Sequence, residues 1–237
     1  MNKIGIIGAM ELEVDALKKE LRIDGALNSK VTQIAGMDFL EGDLNDVPVV
    51  IVRCGIGKVN AALCVQILCD HYHVTHVINT GVAGSLNAAL DIGDILISKD
   101  ALYHDMDVTP LGYEPGIIPQ MDMSIFPADE RLAELALTSC KKVNSDIHAL
   151  TGRVVSGDQF IAKKDVKERL INLFHGDCAE MEGAAIAHAC HLNRVPFVIL
   201  RAISDKADDS AEMDYPTFEK AAAAHSAKLV EDLVTTI

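Results

Sequence analysis

Positive charge is scarce in this chain of 237 residues: 21 Lys and Arg stand against 35 Asp and Glu, a net charge of −14. A surface of that sign repels phosphate backbones and anionic lipid, so binding to nucleic acid or a membrane surface is not expected. Apolar runs are too short to cross a bilayer. The opening "MNKIGIIGAMELEVDAL" turns acidic straight after its short apolar run, unlike a secretory signal. Six cysteines (Cys54, Cys64, Cys69, Cys140, Cys178 and Cys190) form no CxxC pair. Most lie in apolar surroundings and read as reduced, buried thiols of a cytoplasmic protein. No G-x-S-x-G motif is present, which excludes the usual hydrolase serine elbow. Repeats, linkers and low-complexity segments are also missing, so one domain over 1–237 is expected. With 49% apolar residues that domain can bury a sizeable core.

What is present alternates between strand and helix patterns. "KIGIIG" (3–8), "VPVVIVR" (47–53), "THVINTGVAG" (75–84), "GDILIS" (93–98), "HALTGRVVSG" (148–157) and "VPFVILRAIS" (195–204) read as strands, the third running into a Gly-rich turn. Helices are expected over 11–21, 57–72, 129–143, 182–193 and 215–234. This alternation predicts an α/β fold with a central mixed β-sheet flanked by α-helices. The one long irregular stretch, 103–127, is rich in Pro, Gly and aromatics, and loops of that length are usually functional.

Two tempting motifs fail. "CGIGKVNAA" (54–62) has Val52 where a phosphate loop needs its first glycine, and Asn60 where a dinucleotide fingerprint needs its third. Its glycines still permit close approach of a ligand to a helix N-terminus. "HACH" (188–191) sets two imidazoles three residues apart, but no further Cys or carboxylate cluster completes a metal set.

Three carboxylates stand at element ends: Glu13 just beyond the first strand, Glu182 opening the helix 182–193, and Asp205 ending the most apolar strand. Ligands of open α/β sheets bind outside the carboxyl ends of strands, and convergent carboxylates perform acid–base work on glycosidic bonds. Each residue alone is equally a helix cap, favoured by the exposed N–H groups of the first turn. The pair Glu180 and Glu182 in "AEMEGAAIAHAC" (179–190) poses that choice most sharply. Arg201, four residues before Asp205, adds a positive charge to the same neighbourhood.

"KIGIIGAMELEV" (3–14), "SGDQFI" (156–161), "AEMEGAAIAH" (179–188) and "LRAISDKAD" (200–208) together resemble the signatures of bacterial 5′-methylthioadenosine/S-adenosylhomocysteine nucleosidases, from residue 3 to about 234. The resemblance implies the nucleoside phosphorylase-like fold, a homodimer, no metal and no organic cofactor. It implies hydrolysis of the bond between adenine and a 5′-thio-substituted ribose, with 5′-deoxyadenosine as a further substrate of that class. An adenine nucleosidase acting on 6-amino-6-deoxyfutalosine would use the same catalytic residues. A phosphorolytic enzyme and a non-catalytic nucleoside-binding protein are more distant alternatives.

Residue by residue, the resemblance makes Asp205 the general acid on the adenine and Glu13 the base that activates water. Glu182 binds ribose hydroxyls, and Met181 packs on the sugar. Phe160 stacks on adenine, and the Ile161 backbone meets the base edge. Arg201 lies near the water and Glu13. Ala83, Gly84 and Ser204 belong to the same substrate site, and Met10, Ile56 and Tyr215 line an apolar pocket for the 5′ substituent. The segment 103–119 crosses to the partner, where Val108, Leu111, Tyr113 and Pro119 close its pocket. Glu180 reads as structural. At Tyr215 and Leu111 the better-known members carry phenylalanine. In "INTGVAGS" (78–85), Asn79 and Val82 stand where related phosphorylases hold phosphate, and a valine side chain offers phosphate no hydrogen bond. Water is therefore the expected nucleophile.

Overall fold

The computed structural model describes residues 2–237. In chain order the strands are β1 (Ile4–Gly8), β2 (Arg22–Ile23), β3 (Ala26–Leu27), β4 (Lys30–Ile34), β5 (Met37–Leu44), β6 (Val47–Arg53), β7 (His76–Ser85), β8 (Ile95–Tyr103), β9 (Phe126–Pro127), β10 (Ala149–Ser156), β11 (Cys178–Glu180) and β12 (Phe197–Asp205). The helices are α1 (Glu11–Lys19), α2 (Lys58–Asp70), α3 (Glu130–Val143), α4 (Lys164–Phe174), α5 (Gly183–Asn193) and α6 (Ala211–Leu233). Every strand belongs to one mixed sheet, ordered β11-β10-β8-β12-β7-β1-β6-β5-β2-β3, with β4 on β5 and β9 on β8.

The central strands carry almost unbroken apolar sequence because both faces are covered. Each residue of β1 and of β12 is buried. Helices α2 and α5 pack together on one side, and α1, α3 and α6 on the other, each with its own apolar cluster. Alanines on α5 (Ala184, Ala185, Ala187 and Ala189) allow the close approach to α2. Asp129 fixes the start of α3 by accepting the Leu132 N–H at 2.9 Å.

β1, β6, β7 and β12 run parallel, so their carboxyl ends share one edge. β11 pairs with β10 and, antiparallel, with β7 through Cys178–Ser85 and Ala179–Gly84. That second pairing closes β7, β12, β8, β10 and β11 into a ring and brings the residues after β11 beside the end of β7.

Several expectations change here. The stretch read as a Gly-rich turn is strand, since β7 continues to Ser85. β8 extends to Tyr103, and the segment after it holds a 3-10 turn over Thr109–Leu111 and the short β9. Residues 22–44 form antiparallel strands, and 164–174 form a helix, where no element was expected. His188 stacks on Phe126 at 4.7 Å between ring centroids and meets the Tyr103 hydroxyl at 3.2 Å. All six cysteines are free.

Candidate active site

A cavity of about 330 Å³ opens at the shared carboxyl edge of β1, β7 and β12. Met10, Glu13, Ile56, Ala83, Gly84, Phe160, Met181, Glu182, Ser204, Asp205 and Tyr215 all line it, as does Val82. These residues come from seven separate stretches of the sequence, so their meeting is a product of the topology. Two expected residues do not line it. Ile161 turns its side chain into a satellite apolar cluster with Leu170 and Phe174. Arg201 lies fully buried behind the wall.

Glu13 is held by the turn that joins β1 to α1. Its Oε2 accepts the N–H groups of Ala9 (2.7 Å) and Met10 (2.9 Å), and its Oε1 accepts that of Val82 (3.1 Å). Burial raises its pKa, while the Arg201 charge and those three N–H groups oppose the rise. Gly81 makes room for it: a Cβ there would lie 2.7 Å from Glu13 Oε1.

Asp205 ends β12 just after a register shift against β7 between Ile203 and Asp205. Such a bulge re-aims the side chains at a strand end. Its Oδ1 accepts the Ala207 N–H at 2.8 Å and its Oδ2 the Ser204 hydroxyl at 2.9 Å. Burial raises its pKa, those two donors oppose the rise, and the negative charges of Asp214 and Asp208 add to it. Among the described residues no cation is a leading influence on Asp205, in contrast to Glu13. Both carboxyl groups are thus raised by burial, Glu13 against an opposing guanidinium and Asp205 with negative neighbours that add to the rise. Gly84 is required here, since a Cβ would lie 2.7 Å from Asp205 Oδ1.

Glu182 precedes α5, and its Oε1 accepts the N–H of Gly57, at the start of α2, at 2.7 Å. Burial and then the charge of Glu180 push its pKa well above the ordinary carboxylate range. The Lys58 N–H beside it donates to Asp158 Oδ1 at 2.9 Å. The α2 N-terminus that looked open to a ligand is therefore occupied by the chain's own carboxylates. Gly57 adopts φ +96°, a left-handed value that a side chain would strain.

Glu180 is a different kind of residue from Glu182. It accepts the N–H groups of Glu182 (3.1 Å) and Gly183 (2.8 Å) and the Ser156 hydroxyl, and pairs with Arg201 Nη2 at 2.5 Å. Arg201 also donates to Asn79 Oδ1 at 2.5 Å, and Asn79 Nδ2 donates to the Ile7 carbonyl at 3.0 Å. Glu180 caps a helix and neutralises a buried guanidinium, as a structural carboxylate should. The Asn79 amide and both Arg201 Nη atoms are bonded within the protein, while the buried Arg201 Nε has no hydrogen-bond partner among the described residues.

The mouth is apolar. Phe160 and Tyr215 meet edge to face at 5.7 Å, and the Tyr215 hydroxyl lies 3.2 Å from Met10 Sδ. Ile56 (54% exposed) and Phe160 (52%) stay largely open to solvent. Val108, Leu111, Tyr113 and Pro119 do not line the cavity of their own chain; Leu111 is 74% exposed.

Comparison with known proteins places this geometry. The profile of the Phosphorylase superfamily matches residues 3–235. The 5′-methylthioadenosine/S-adenosylhomocysteine nucleosidase of Geobacillus sp. (strain WCH70) is 41% identical over 236 residues, covering 99% of each chain. A nucleosidase of the same name from Colwellia psychrerythraea, solved with adenine, superposes with a TM-score of 0.92 at 39% identity, covering 99% of this chain and 95% of that one. Futalosine hydrolase from Helicobacter pylori superposes with a TM-score of 0.92 at 32% identity, covering 100% of this chain and 98% of that one.

Proposed function

Since the chain belongs to the 5′-methylthioadenosine/S-adenosylhomocysteine nucleosidase family of the phosphorylase superfamily, we propose that its cavity hydrolyses the N-glycosidic bond of those nucleosides with Asp205 as acid and Glu13 as base. The carrying observation is that both carboxylates open on one cavity from either side of β7. Glu13 touches β7 at residues 81–82 and Asp205 at Gly84. Two to three strand residues span about 7–10 Å. That is close to the separation of about 6.5–9.5 Å that inverting glycosidases use to fit a water between acid and base.

Asp205 gives its proton to adenine N7 as the C1′–N9 bond breaks, so the base leaves neutral. Water adds to C1′ and loses its proton to Glu13. The ribose is cationic at that moment, and Glu182, holding its hydroxyls, attracts the transition state more strongly than the substrate. Met181 covers the sugar, and Phe160 supplies a π-face for the purine.

Water rather than phosphate is the nucleophile. Among the described residues, no Lys or Arg lines the cavity. A phosphate would face Glu13, Glu182 and Asp205 with the Arg201 guanidinium already paired and valine at position 82. The test is adenine release from 5′-methylthioadenosine in phosphate-free buffer, then with phosphate added. Adenine with free methylthioribose in both supports hydrolysis. Methylthioribose 1-phosphate, formed only with phosphate, overturns it. The likeness to a futalosine hydrolase makes 6-amino-6-deoxyfutalosine the second substrate to assay.

The exposed lip of Ile56 and Phe160 and the exposed Leu111 support a homodimer in which the segment 103–119 covers the neighbour's cavity. Leu111→Asp should then raise KM for 5′-methylthioadenosine and weaken the dimer in light scattering. A monomeric wild-type chain with full activity would overturn the shared site.

A further inference from the structure

A second cavity, about 420 Å³, adjoins the first and shares Ala9, Met10 and Ile56 with it. Its far wall is the turn between β4 and β5, at Gly36 and Met37. Two of the shared residues, Met10 and Ile56, are assigned to the 5′ end of the substrate, so the second cavity lies where a substituent longer than methyl would go. Its charged wall is Arg53, the last residue of β6, with Glu11.

Arg53 is only loosely held. Its Nε stands 3.7 Å from Glu11 Oε2, beyond hydrogen-bond distance, and among the described residues its guanidinium makes no hydrogen bond. Glu11 is already bound by Lys18 at 2.9 and 3.1 Å. Two cations against one carboxylate leave this corner with a surplus positive charge, in a chain whose net charge is −14. A guanidinium with free donors at the end of an apolar passage matches a carboxylate, which it can bind through two parallel N–H donors.

We propose that Arg53 binds the carboxylate at the end of a long 5′ substituent and so sets the enzyme's preference for such substrates over 5′-methylthioadenosine. The inference rests on the nucleosidase reading of the first cavity. In S-adenosylhomocysteine the carboxyl carbon lies four single bonds beyond the sulfur, a reach of about 5 Å, enough to pass from a shared wall into the adjoining space. The carboxyphenyl group of 6-amino-6-deoxyfutalosine would present the same anion.

The test is a steady-state comparison of 5′-methylthioadenosine, S-adenosylhomocysteine and 6-amino-6-deoxyfutalosine on wild type, Arg53→Gln and Arg53→Lys. Loss of a charge-assisted contact at a part-exposed site predicts about a tenfold rise in KM for a carboxylate-bearing substrate in Arg53→Gln. KM for 5′-methylthioadenosine and all kcat values should stay within twofold, and Arg53→Lys should recover part of the loss. A rise confined to S-adenosylhomocysteine identifies an amino-acid tail as the ligand; a rise confined to the futalosine identifies the benzoate; either supports the proposal. Unchanged KM for both, or an equal rise for 5′-methylthioadenosine, overturns it. Wild type releasing no adenine from any of the three overturns the nucleosidase reading itself, a result distinct from the others.

Discussion

Glu13 and Asp205 differ by one methylene, yet their surroundings differ in ways that suit the two roles proposed for them. Glu13 has three backbone donors and the field of Arg201, which favour its ionised form; Asp205 has one N–H, one hydroxyl and negative neighbours. Asp205→Asn removes the transferable proton, and Glu13→Gln removes the acceptor. Each should lower kcat by about 10²–10⁴-fold with an unchanged circular dichroism spectrum, and near-wild-type turnover in either would cancel that residue's role. Ser204 bears directly on the proposed acid. Its hydroxyl donates to Asp205 Oδ2 and so favours the charged form. Ser204→Ala should therefore raise the pKa of Asp205 and keep it protonated to higher pH. The basic limb of the pH profile of kcat/KM should move upward by about one unit, the equivalent of one hydrogen bond to a charged group. A downward shift would mean that this limb reports another group.

At the level of elements, β7 carries most of the design. Glycine is a poor strand residue by propensity, which is why "TGVAG" reads as a turn. Gly81 and Gly84 occupy extended strand because the carboxylates of Glu13 and Asp205 stand where their side chains would be. Gly84→Ala would put a methyl 2.7 Å from Asp205 Oδ1 and 2.8 Å from the Ala207 Cβ. It should displace the acid, lower kcat/KM more than a hundredfold and cost about 1–3 kcal/mol of stability, as overpacking does. Kinetics and a thermal melt on the same preparation check both halves. The sequence reveals what local pattern encodes: apolar runs become β1, β6 and β12, and the two proposed catalytic carboxylates lie at the end of a strand or soon after one. It hides what distant pairing decides. Neither the "INTGVAGS" segment nor "AEMEG" announces that β11 hydrogen-bonds β7, or that Glu180 takes Arg201 out of the cavity wall. The segment 22–44 is interrupted by Asp, Asn and Gly and has no clear period. Helix α4 is amphipathic, with Leu170 and Phe174 buried one turn apart, and was legible in principle from that spacing alone.

Across the whole molecule, the site gathers Glu13, Glu180 and Glu182 around the buried Arg201 guanidinium, with Asp205 on the same cavity, in a chain that is already strongly acidic. Such a concentration of like charge works against folding and is kept for function. Glu182 makes the cost measurable, because burial and the charge of Glu180 hold its folded pKa well above the unfolded value of about 4.3. A carboxyl group shifted in that direction contributes its stability below the unfolded pKa and loses it as pH rises through the folded pKa. Glu182→Gln keeps the oxygen that accepts the Gly57 N–H but cannot ionise. The variant should melt close to wild type near pH 4 and above it at pH 8, each kcal/mol regained raising Tm by about 2–4 °C. It should also lose turnover, since the ribose would face a neutral amide where the transition state requires a negative charge. Equal melting temperatures at both pH values would show that Glu182 ionises as easily in the folded chain as in the unfolded one. Higher stability with lower activity at pH 8 would show that the folded state holds a destabilising negative charge beside the ribose, where catalysis uses it.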